Sequence, residues 1–253
     1  MKKAPLFFFA FVLLALSAFG FEKTQNLSLP AEGIVKLEIT AGAGFLKVSG
    51  RPGPGGIEVS ADIVVSGVSD KDMDDYIKDH IELELRKSGG TAVLVGRVRE
   101  RWLSFFNRDA RIDLTVTVPQ ALPLEIDDGS GELSVRDIAA AVRIKDGSGS
   151  LRAEKISGNL WIDDGSGGIA VDGVEGNVEI DDGSGEMEIR NVTGDVSIDD
   201  ASGGITLLKV GGNVTIGDGS GHLEIDDVGK DVHLRHKGSG SVDIKNVRGK
   251  VVR

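Results

Sequence analysis

Apolar side chains recur at every eighteenth position through the second half of this chain. One column reads Ile126, Ile144, Ile162, Ile180, Ile198, Ile216 and Leu234. A second reads Leu133, Leu151, Ile169, Met187, Ile205, Leu223 and Val242, and a third starts at Val135 and runs to Ile244. Two more columns begin at Ile138 and Val142 and end at Val247 and Val251. Between them Gly129-Ser130-Gly131 recurs in the same step, at Gly147, Gly165, Gly183 and Gly219, with Ala201 replacing the first glycine once. The seventh copy, Gly238-Ser239-Gly240, falls one position late, because one residue is inserted after Leu234. Each repeat therefore reads V-x-I-x-D-G-S-G-x-L-x-V-x-x-V. The V-x-I and L-x-V pairs alternate with period two, the pattern of short strands buried on one face, and glycine-rich turns separate them.

One such repeat cannot bury its apolar face alone. Stacked copies can, at about 4.8 Å per layer, with each apolar column becoming an internal ladder. The pattern predicts an all-β fold: a parallel β-helix or solenoid of 18-residue coils. Right-handed winding is expected from the general handedness of parallel crossovers. A left-handed hexapeptide helix shares this coil length, but it needs an apolar residue at every sixth position, and Glu132 occupies one of them.

The first half is less regular. Leu37-x-Ile39, Gly42-Ala43-Gly44 and Leu46-x-Val48 repeat the spacing of the later coils, so residues 34–48 read as a degenerate coil. Residues 57–65, 81–85, 92–98 and 112–118 alternate as strands. Ser69 to Asp79 carries Met73, Tyr76 and Ile77 at helical spacing, followed by His80, with Ser69 as the expected N-cap. The expected organisation is an export signal over 1–20, an irregular β-rich segment with one short helix over 21–123, and the repeat solenoid over 124–253. The signal reading rests on Lys2 and Lys3, the apolar run Leu6 to Leu16, and the small residues Ala18 and Gly20 before a cut at Phe21.

Charge and composition narrow the function classes. The formal net charge is −11. Residues 124–228 carry −16 and residues 229–253 carry +5. An acidic body repels phosphate, so a nucleic-acid partner is not expected. The chain has no cysteine, which removes disulfides, thiolate metal sites and a cysteine nucleophile. The serines of the repeat lie outside any G-x-S-x-G elbow, and seven equivalent copies suit a turn requirement. His80, His222, His233 and His236 show no ligand spacing. No enzyme activity is expected.

Two features could bind something. Asp128, Asp146, Asp164, Asp182, Asp200 and Asp218 occupy one position in six successive coils, flanked by Asp127, Asp163, Asp181 and Asp199. Read as exposed charges, they repel one another by about 1 kcal/mol per neighbour in water. The primary reading is turn chemistry, in which an Asp before Gly accepts hydrogen bonds from turn N–H groups. The secondary reading is calcium bridging successive carboxylates; otherwise no cofactor is expected. The second feature is aromatic. Arg97 to Arg111 surrounds Trp102, Phe105 and Phe106 with arginines, either as a plug on the solenoid or as a patch touching anionic lipid or a wall polymer. Trp161, between inward Leu160 and Ile162, is expected to face outward.

The signal, the strands with a short acidic helix, the segment Arg111 to Pro119, Leu124-Glu125-Ile126 and the Gly-Ser-Gly turns together resemble the bacterial putative-adhesin domain family of β-strand-repeat proteins, a domain of unknown function. The resemblance covers most of the chain after Phe21. It implies a right-handed β-helix outside the cytoplasm and brings no catalytic residues. The expected function is a non-enzymatic exported envelope or surface protein, in the periplasm, on the cell surface or secreted. Its partner would be an envelope polysaccharide or a surface protein. Two alternatives stand beside it: a scaffold assembling by end-to-end stacking, and a polysaccharide-active β-helix enzyme. The oligomeric state is left open.

Overall fold

The computed structural model describes residues 14–17, 20–67, 69, 71–99 and 110–253. Within the repeats the chain alternates between two parallel sheets. A short strand such as Val142–Asp146 lies in one, and a longer strand such as Gly149–Ile156 lies in the other. We call them the aspartate sheet and the long-strand sheet. Each strand pairs in parallel with its equivalents one coil before and one coil after: Ile144 lies beside Ile126 and Ile162, and Leu151 beside Leu133 and Ile169. The register never slips until the last full coil. There Ile216 pairs with Leu234 but Gly217 pairs with His236, so Arg235 is the inserted residue.

The ladders form the core. Ile144, Ile162 and Ile198 are fully buried, as are Ile189 and Leu207 in the long-strand sheet. Burial weakens only in the last coil, where Val242, Ile244 and Val247 are partly exposed and Val251 and Val252 are exposed. That gradient is what nearest-neighbour stacking produces: a layer with a partner on one side buries less.

The degenerate coil belongs to the same stack. Lys36–Ala43 pairs in parallel with Leu124–Ile138, placing Leu37 beside Leu124 and Ile39 beside Ile126. Leu46–Arg51 does the same in the long-strand sheet, with Leu46 beside Leu133. Beyond it the sheets continue through other strands. Thr91–Val98 pairs with Lys36–Ala43 and carries Ile81–Ser88 antiparallel at the sheet's edge. Ala110–Pro119 pairs with Leu46–Arg51, followed outward by the antiparallel strands Gly56–Val65 and Gly20–Pro30. The sequence-predicted strands all form, a few residues longer than the alternation alone marks.

The short helix spans Met73–His80, and its N-cap is Asp72 rather than the expected Ser69. Asp72 makes no side-chain bond to the helix. The Ser69 hydroxyl instead donates to the Asp72 carboxylate at 2.7 Å. Met73 buries against the core, and the Tyr76 and His80 rings stack 4.4 Å apart.

Of the segment expected to be an export signal, only Leu14–Ser17 and Gly20 are described. Leu14–Ser17 is a strand antiparallel to Gly20–Pro30. No helix among the described residues is long and apolar enough to cross a membrane.

Candidate functional site

The aspartate column is the principal polar feature of the solenoid, and the structure corrects its placement. Asp128, Asp146, Asp164, Asp182, Asp200 and Asp218 are 2–5% exposed. They point inward. In Val142-Arg143-Ile144-Lys145-Asp146 the alternation that buries Val142 and Ile144 also buries Asp146. The flanking Asp127, Asp163, Asp181 and Asp199 have the opposite parity and sit on the outer face, where Asp127 and Asp181 are exposed. The two columns therefore face opposite sides of one sheet and cannot jointly grip a cation.

Turn chemistry accounts for part of the inward column. One carboxylate oxygen of Asp164, Asp182 and Asp200 accepts the N–H of the serine two residues on, at 3.3, 3.1 and 2.9 Å. The second oxygen of each is buried without a partner, as are both oxygens of Asp128 and Asp146. Burial raises these acids. Asp128 is pushed up to about 7, first by desolvation and then by the charge of Asp146. Asp146, Asp182 and Asp200 are pushed up to about 6 by desolvation and then by a neighbouring aspartate. Among the described residues, no three or more acidic, histidine or cysteine side chains group as a metal site.

The two glycines of each turn are not equivalent. Gly185, like its counterparts, has a positive φ, here 153°, and its Cα lies against the carbonyl oxygen of Gly167 in the coil below. A Cβ there would overlap that oxygen. The first glycine has no positive φ, and Ala201 fills that position in one coil.

At the opposite corner lies a second polar ladder that the sequence reading passed over. The Asn159 side-chain oxygen accepts the N–H of Asn177, and that of Asn177 accepts the N–H of Asp195, both at 2.9 Å. Asp195 accepts from Asn213 at 2.7 Å, and Asp231 accepts from Lys250 at 2.7 Å. Asn or Asp once per coil, at Asn159, Asn177, Asp195, Asn213 and Asp231, was the available signal. Asn177 is exposed, so water replaces a lost partner. Asn177→Ala should cost only about 0.5–1 kcal/mol, read as a small drop in the thermal midpoint.

Two open grooves lie on the outer faces. On the aspartate sheet a groove of about 480 Å³ crosses four coils, lined by Glu179, Ser197, Thr215 and His233 and bordered by the Asn177–Asp231 ladder. On the long-strand sheet one of about 530 Å³ lies over Gly168 and Ala170, among Glu132, Arg152, Glu186 and Glu188. Trp161 sits partly buried on the outer face, and the Arg143 guanidinium lies 3.7 Å over its ring. Trp102, Phe105 and Phe106, and most of the basic stretch around them, lie outside the described residues. Arg235, the inserted residue, reaches back to Asp199 at 2.6 Å.

Two parallel sheets joined by glycine turns, with a file of buried carboxylates, define a two-sheet β-solenoid. The chain belongs to the Toastrack DUF4097 family, whose model matches residues 3–251. This agrees with the resemblance to the putative-adhesin domain family carried by the Gly-Ser-Gly repeats. A search of the curated proteins finds no match. Three solved structures align over 91% of this chain. A putative cell adhesion protein from Clostridium sporogenes is 16% identical, with 97% of its chain covered and a TM-score of 0.31. A putative lipid binding protein from Parabacteroides distasonis is 13% identical, with 97% covered and a TM-score of 0.41. A putative adhesin from Parabacteroides merdae is 8% identical, with 96% covered and a TM-score of 0.31.

Proposed function

We propose that the chain is a non-enzymatic, exported envelope or surface protein that binds an extended polymer along the outer face of its aspartate sheet. The groove over Glu179, Ser197, Thr215 and His233 carries this reading. It offers carboxylate, hydroxyl and imidazole groups from successive coils at one fixed spacing of about 4.8 Å. A linear polysaccharide presents hydroxyls in a comparable repeat, and each could exchange hydrogen bonds with one coil. The flatness of the groove suits a long ligand held by many weak contacts better than a small molecule held by a few. An envelope polysaccharide is the partner this chemistry fits. Pull-down with purified cell-wall polymers tests it. Ser197→Trp, which blocks the groove without touching the core, should lower binding at least tenfold. Binding that is absent in the parent chain, or unchanged in the variant, ends the proposal.

One observation supports self-association as a second reading. The last coil leaves Val251 and Val252 exposed at a parallel edge, and that segment is basic against an acidic body. Such an edge can add another strand. Sedimentation at low and high salt should show salt-sensitive oligomers; a monomer under both conditions removes this reading. Polysaccharide cleavage draws least support, because the acidic file is internal. Metal dependence of binding, with calcium against chelator, is a separate arm of the same pull-down.

A further inference from the structure

The inward aspartates form an unbroken file. In-register pairing sets Asp128 beside Asp146, then Asp164, Asp182, Asp200 and Asp218. Neighbours are one strand spacing apart, about 4.8 Å. Nothing described neutralises them. None of the ion pairs among the described residues involves the file. The charged groups closest to it are mostly acidic: Asp127 beside Asp128, Asp163 beside Asp164, Asp181 beside Asp182, and Glu186 near Asp200. The basic exception within the file is Lys145, on the outer face beside Asp146. The inward positions of the facing long-strand sheet are aliphatic, Leu133, Leu151, Ile169, Met187 and Ile205. At the ends, Ala41 holds the register position beside Asp128 and Lys237 the position beside Asp218.

Six carboxylates in such a file cannot all be ionised without a large cost. Each buried anion loses its hydration, and each faces like charges within a few ångströms. The turn serines satisfy one oxygen in three coils and leave the other orphaned. A proton on an orphaned oxygen removes the charge and supplies an O–H donor in the same step. We propose that the file takes up protons in mildly acidic surroundings, so that several coils there hold neutral carboxylic acids and the solenoid tightens as the pH falls.

The direction of the shifts fixes the window. Asp128, Asp146, Asp182 and Asp200 titrate near 6 to 7 in the folded chain, against an ordinary value of 3.8. The folded state therefore holds more protons than the unfolded one between about pH 4 and 7. Stability contributed by the file is complete below pH 4 and is lost as pH rises through 6 to 7.

Thermal unfolding at pH 5 and pH 8 tests this, on the full chain and on a variant with Asp146→Asn, Asp164→Asn and Asp182→Asn. The parent midpoint should fall by more than about 10 °C between the two pH values. The variant should lose more than half of that fall. Infrared spectra of the parent at pH 5 should show a carboxylic-acid C=O band that the variant weakens. If the triple variant does not fold, Asp164→Asn alone and the parent's infrared band carry the test. Equal pH dependence in parent and variant, or an acid band at pH 5 that the variant leaves unchanged, overturns the proposal. So does a midpoint at pH 8 that calcium raises in the parent and not in the variant, since another cation then fills the file.

Discussion

Gly185→Ala is expected to cost about 3 kcal/mol or more, and Gly183→Ala, two residues away in the same turn, roughly 1 kcal/mol. Both substitutions add one methyl group to a Gly-Ser-Gly turn. Only Gly185 combines a φ of 153° with a Cα packed on the carbonyl of the coil below. That φ lies where a side chain clashes with its own backbone, so alanine is strained before packing is considered. The new methyl group would then have to displace the Gly167 carbonyl, which belongs to a strand locked in register on both sides. At position 183 a methyl group also meets a carbonyl oxygen of the coil below, that of Gly165, but less closely; the backbone there is ordinary, and the chain already accommodates a methyl group at the equivalent Ala201. In a domain of this size the larger loss lowers the midpoint by roughly 10 °C. Thermal unfolding of both variants side by side is the check. Equal losses at the two positions would mean that crowding alone, not the backbone conformation, fixes the second glycine.

The pattern of residues made some layers of this architecture plain and hid others. The aliphatic columns were legible because an in-register stack repeats the same burial in every coil, so its period appears directly in the sequence. Ile39, Gly44 and Leu46 could be matched to Ile126, Gly131 and Leu133 across a long interruption for the same reason, and their strands do pair. The burial of the aspartates is concealed by their charge, which suggests exposure where parity dictates the interior. Val142-x-Ile144-x-Asp146 alternates without a break, and a strand does not turn a residue outward because it is acidic. The Asn159–Asp231 ladder was hidden by mixed identity, since Asn and Asp share one geometry through one side-chain oxygen. A further column carried only a faint signal. Asp137, Lys155, Asn191, Lys209, Asp227 and Asn246 take φ values of 51° to 62°, and Gly173 takes 77° in the remaining coil, as a left-handed bend in the long strand. Asp, Asn or Gly fills five of these seven positions, as such a bend favours, but Lys155 and Lys209 blur the column. The helix began late because Ser69 bonds to Asp72 rather than to the first turn.

The same stacking logic predicts a gradient along the rod. Ile180→Ala should cost about 2–5 kcal/mol, while Ile244→Ala should cost less than about 1 kcal/mol. Ile180 is 2% exposed and lies between Ile162 and Ile198, each in parallel register with it. Removing its side chain opens a cavity that neither neighbour can fill without breaking its own ladder, so the cavity cost adds to the lost burial. Ile244 has a neighbour on one side only, Ile225, and is already partly exposed. Its removal leaves a surface notch that water enters. Ile39→Ala supplies the discriminating case. Ile39 sits in the degenerate coil, 2% exposed, between Leu94 and Ile126. If that coil is an integral layer, its loss should match that of Ile180 and both should melt the chain in a single transition. If the first half folds separately, Ile39→Ala would instead split the unfolding curve in two while the solenoid's own transition stays in place. Calorimetry of the three variants decides between these outcomes. A cost at Ile39 as small as that at Ile244 would show that the aliphatic ladder stops transmitting stability where the repeat loses its regularity.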